Sequence, residues 1–116
     1  MKFEGIGFKD KEVEFSIAEH VFGEAGFTHA GQWDYERVTF DFKFQDLVNN
    51  DIYYLRVQAY ATKGEIPSAN SAIKFLDPIL GKHYYPHGVE YSGEEFPKHI
   101  VIKCNKKLEQ LILLLN

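Results

Sequence analysis

The chain has 116 residues and a net charge of −4, from 13 basic and 17 acidic side chains. That length builds one hydrophobic core and leaves no room for a second, and the balance of 45% hydrophobic to 26% charged residues excludes a disordered chain. The only basic cluster is Lys103, Lys106 and Lys107 beside Glu109, too little to displace counterions from a polyanion, so neither nucleic acid nor an anionic membrane is an expected partner.

The start, Met1-Lys2-Phe3-Glu4-Gly5, is charged and interrupted, unlike a signal peptide. The longest apolar run, Leu111 to Leu115, is far short of a bilayer span. Cys104 is the only cysteine, so no internal disulfide can form and the expected location is cytoplasmic.

Residues 1–15 scatter Phe3, Ile6, Phe8, Val13 and Phe15 among glycines and charges and predict short strands. Ser16-Ile17-Ala18-Glu19 has the capping-box pattern, so a helix is expected over 17–25. Gly26 suits its left-handed end, with Phe27 placed to touch Phe22. Next, Val38, Phe40, Phe42 and Phe44 alternate with polar residues, as do Tyr53, Leu55, Val57, Ala59 and Ala61. This period of two predicts an antiparallel hairpin turning through Asn49-Asn50-Asp51. To bury one face, facing residues must have an odd index sum. A sum of 97 sets Phe42 against Leu55 and Asp41 against Arg56, whereas 95 sets Thr39 against Arg56; opposite charges favour 97.

Residues 63–68 predict a loop and 72–76 a short strand closed by Asp77-Pro78. Gly81 to Gly93 is aromatic and broken by Pro86 and Gly88, so it reads as extended or looped, with a short strand at 89–91. Pro97 suits the first turn of a helix. Val101, Cys104, Leu108, Leu111 and Leu115 then form a seam at helical spacing. The expected fold is α+β: an antiparallel sheet with an N-terminal helix and a longer C-terminal helix packed on one face.

Three segments together resemble a known family: Ala30 to Asp41, the Tyr53-Tyr54-Leu55-Arg56-Val57 strand, and Leu80-Gly-Lys-His-Tyr-Tyr-Pro-His-Gly-Val-Glu-Tyr91. They are similar to the YugN-like family of small bacterial proteins of Bacillus and its relatives, over nearly the whole chain. The resemblance implies a small cytoplasmic α+β domain over 1–116 and carries no catalytic residue with it.

Two constellations carry chemistry. On the polar side of the hairpin, Arg37, Asp41, Arg56 and Tyr60 share a face, joined by Trp33 and Tyr35 if the strand extends backward. Arginine forks suit carboxylate or phosphate and the rings offer stacking surfaces. The plainer alternative is a surface ion pair, or a face covered by the 81–93 segment. In that segment, His83 and His87 with Glu90 have the ligand types of a zinc site, but Pro86 disfavours the helix such a spacing needs, so no metal is expected. Gly5-Ile6-Gly7 lacks the third glycine of a dinucleotide loop and no Gly-x-Ser-x-Gly elbow occurs, so no cofactor is expected either. Cys104, on the apolar seam, reads as a small buried hydrophobe.

These residues favour a non-enzymatic binding or interaction module with a small anionic ligand or a protein partner. The alternative is a small enzyme with His83 or His87 as acid or base and Arg37 or Arg56 as an anion clamp. Leu111 to Leu115 encircles its helix axis, so either a second copy of the chain covers the excess or the helix end frays onto the core.

Overall fold

The structure, a computed structural model, describes residues 1–29, 34–84, 88–91, 93 and 95–116. Its centre is the hairpin of β2 (Arg37–Asp46) and β3 (Asp51–Lys63), paired in the predicted register, with Phe42 opposite Leu55 and Asp41 opposite Arg56. The turn between them is organised by Asp46, a buried acid. Its carboxylate accepts the backbone N–H groups of Val48 and Asn49 and the Asn49 side-chain amide. These bonds outweigh desolvation, the largest opposing effect, and hold the Asp46 pKa below its usual value.

β2 occupies one edge of β3. The other edge is shared end to end by β4 (Ala72–Phe75), paired along 59–63, and β5 (Ile79–Tyr84), paired along 52–56. The Leu76 N–H bridges the junction by donating to the Gln58 carbonyl. β1 (Glu12–Glu14) pairs with β4, and β6 (Gly88–Glu90) with β5, which completes a six-stranded antiparallel sheet. The stretch 81–84, expected to be extended or looped, is regular strand here, part of β5 from Ile79 onward.

Helices α1 (Phe15–Glu24) and α2 (Lys98–Leu115) cover the face formed by Phe40 and Phe44 of β2 and Tyr53, Leu55 and Val57 of β3. α1 starts two residues before the predicted boundary. β1 runs straight into it, the Phe15 N–H donates to the Ser71 carbonyl, and Glu14 is the N-cap without a side-chain bond. Ser16 therefore lies inside the helix and the capping box does not form. The other end is as expected: Gly26 takes a φ of 89°, its N–H donates to the Gly23 carbonyl, and the Phe27 N–H reaches the Phe22 carbonyl.

α2 buries Ile100, Cys104, Leu108, Leu111 and Leu115, while Val101 flanks the stripe half-buried. Pro97 is the N-cap, one position outside the first turn. Lys107 ties this helix to the rest of the core: its ammonium donates to the Ala25 carbonyl at 3.0 Å and sits 3.9 Å from the Phe42 ring centroid. A cation at a helix C-terminus and over a ring is favourable on both counts. Burial pulls the Lys107 pKa down and offsets part of that gain. Lys107→Ala is therefore expected to cost about 1 kcal/mol in urea unfolding.

Candidate functional site

The sheet face away from the helices carries the even-numbered side chains of β3 and the odd-numbered ones of β2. Here the structure separates the two arginines of the chain. Arg56 is engaged through all three of its nitrogens: Nε and Nη2 donate to the two carboxylate oxygens of Asp41 at 2.7 and 3.1 Å, and Nη1 donates to the Tyr91 hydroxyl at 2.5 Å. The bond to Asp41 leads in raising the Arg56 pKa, and burial raises that of Tyr91. The Nε–Nη2 fork is thus already filled by a carboxylate, which neutralises the charge a ligand anion would meet.

Tyr91 reaches this pair by lying across Gly81. A Cβ built at Gly81 would stand 2.4 Å from Val89 Cγ1 and 2.7 Å from the Tyr91 ring. Glycine here is a matter of space, because the ring occupies the position of a side chain. The sequence offers one signal for this: an isolated glycine inside a strand marks a close approach.

Arg37 lies opposite Tyr60, four positions along β3 from Arg56, or about 13 Å. It is exposed and, among the described residues, makes no ion pair. It lines a shallow hollow of about 720 Å³ with Asp34, Tyr35, Glu36, Tyr60, Thr62 and Glu65. Tyr35 is 51% exposed and Tyr60 36%, so both rings are available at the rim. The floor is held by backbone bonds: the Ala61 N–H donates to the Glu36 carbonyl and the Ile66 N–H to the Tyr35 carbonyl. Asp34 Oδ1 accepts the backbone N–H groups of Glu36 and Arg37, which fixes the turn into β2. The structure thus groups Tyr35, Arg37 and Tyr60, and separately Asp41 and Arg56. Trp33 lies outside the described residues. Thr62 and Glu65 were missed because they reach the hollow through the end of β3 and the loop beyond, which no short-range pattern reveals.

The loop candidates do not converge. His83 faces Ile52 and Glu90 faces Lys82 on adjacent positions of β5, so their side chains emerge on opposite faces. His83 sits edge-on to Tyr54, 6.0 Å between ring centres. Ile52 and Arg56 are four residues apart, so His83 lies about 13 Å along the strand from Arg56 and about twice that from Arg37. His87 is outside the described residues. Among the described residues no three His, Cys, Asp or Glu side chains are grouped as metal ligands. Cys104 is buried, and desolvation pushes its thiol up to about 12, far from a reactive thiolate. No helix is long and apolar enough to cross a membrane, counted over the described residues.

A six-stranded antiparallel sheet with a short N-terminal and a longer C-terminal helix on one face defines a small α+β protein, with its polar hollow at one end of the opposite face. The profile of the YugN-like family matches residues 6–110. The chain belongs to the YugN-like family. "Uncharacterized protein YlbA" of Bacillus subtilis is 41% identical over 112 residues, covering 96% of this chain and 92% of the relative. The crystal structure of "uncharacterized conserved protein YugN" from Geobacillus kaustophilus superposes with a TM-score of 0.85 at 43% identity, covering 99% of this chain and 94% of that one.

Proposed function

We propose that the chain is a non-catalytic cytoplasmic binding module whose ligand site is the hollow around Arg37. The observation that carries this reading is the contrast between the arginines: Arg56 is spent on Asp41 and Tyr91, whereas Arg37 stands unpaired among the described residues between two exposed tyrosines. A guanidinium fork takes a carboxylate bidentately. Asp34, Glu36 and Glu65 line the same hollow and repel a multiply charged anion. They favour a zwitterion instead, with its ammonium near the acids and the tyrosine faces. The lone buried cysteine suits a reducing compartment.

A thermal-shift titration with glutamate, glycine and succinate tests the reading. The amino acids are expected to raise the melting temperature by about 5 °C at tenfold their Kd, succinate less, and Arg37→Ala should abolish the effect. No shift with either amino acid, or a shift that persists in Arg37→Ala, contradicts it.

A further inference from the structure

Helix α2 shows large apolar side chains on two sides. Beyond the stripe buried in the core, Ile102 is 55% exposed and Leu113 75%. Between them on the outer surface stand Lys106 and Glu109, both exposed. Spacings of 4, 3 and 4 residues place Ile102, Lys106, Glu109 and Leu113 within about 60° of arc. Lys106 and Glu109 are close enough to pair within the helix, yet among the described residues neither makes an ion pair.

The stripe is complementary to its own reversal. Two α2 helices laid antiparallel, with a twofold axis level with the midpoint between Lys107 and Leu108, bring together residues whose numbers sum to the same value. Ile102 then faces Leu113 of the partner subunit, and Lys106 faces Glu109 of the partner subunit. Each contact occurs twice, as an isologous interface requires. A parallel arrangement would set Lys106 against Lys106 and Glu109 against Glu109, which like-charge repulsion opposes. We propose that the outer face of α2 is a homodimer interface in which two copies pack α2 against α2 antiparallel. It lies on the helix side of the sheet and the hollow on the opposite side, so pairing leaves the hollow open.

Sedimentation equilibrium over a hundredfold concentration range tests this, with circular dichroism showing that each variant is folded. The wild-type chain is expected to approach twice 13.4 kDa. Lys106→Glu should weaken association at least tenfold by opposing two acids across the axis. Lys106→Glu combined with Glu109→Lys should restore it, because the exchange regenerates the same pairs. A single-chain mass at every concentration overturns the proposal. A dimer indifferent to Lys106→Glu, or an exchange that fails to restore association, also overturns it.

Discussion

Phe22→Ala is expected to be among the costliest single substitutions in this chain, lowering unfolding stability by about 4 kcal/mol. Phe22 is fully buried at the point where α1 meets the sheet. Its ring stacks on Phe40 at 4.3 Å and 12° between planes, meets Phe27 edge-on at 5.1 Å and lies 5.7 Å from Phe75. Truncation removes the ring on which three others rest, and a stack held by β2 and β4 cannot collapse far into the space. The Phe22 carbonyl also receives the Phe27 N–H at the end of the helix, so the cavity opens under the turn that ends α1. Since domains are stable by only about 5–15 kcal/mol, the variant should stay folded but with a sharply lower urea midpoint. Phe22→Leu should cost less than half as much. Equal losses in the two variants would contradict the cavity account and show that the ring contacts, rather than the volume filled, carry the stability.

The second large effect is expected at Gly81, where adding a methyl group should destabilise. Overpacking in a fixed core costs about 1–3 kcal/mol, and the two atoms in the way differ in how they can yield. Val89 Cγ1 belongs to the neighbouring strand, while the Tyr91 ring can move only by giving up its bond to Arg56. Gly81→Ala should therefore cost about 3 kcal/mol, the upper end of that range. Combined with Tyr91→Ala, which removes one of the obstructions, the loss should be clearly smaller than the sum of the singles. Additive losses, or a Gly81→Ala cost below about 0.5 kcal/mol, would mean that the tyrosine does not occupy the space above Gly81.

These two sites also show where the sequence could be read and where it could not. The hairpin register followed from alternation and the single opposition of Asp41 and Arg56, because a one-residue slip would turn every phenylalanine to the wrong face. The end of α1 followed from Gly26 and Phe27, since left-handed backbone beside a matched ring is a local signal. Its start did not follow: Ser16 and Glu19 have the right spacing for a cap, but β1 feeds directly into the helix and Phe15 is bonded to Ser71, a contact made 56 positions away in the chain. Strand β5 was obscured for a similar reason. Gly81 and the nearby Pro86 argue locally against a strand, and only the crossing ring of Tyr91 explains why glycine belongs in the middle of one. At the candidate site, parity put Arg37 and Arg56 on one face, but which of them is already satisfied depends on Tyr91, which arrives from β6 at the far edge. Side-chain saturation is a tertiary property and leaves no trace in periodicity.

The division of labour between the two arginines can be observed directly, because the chain contains no others. In a nitrogen-edited NMR titration with glutamate, each guanidinium Nε–H gives its own resonance. The Arg37 resonance should move with saturation while that of Arg56, locked to Asp41, stays where it is. Movement at Arg56 alone, or at neither, would contradict the assignment of the binding site to the hollow around Arg37.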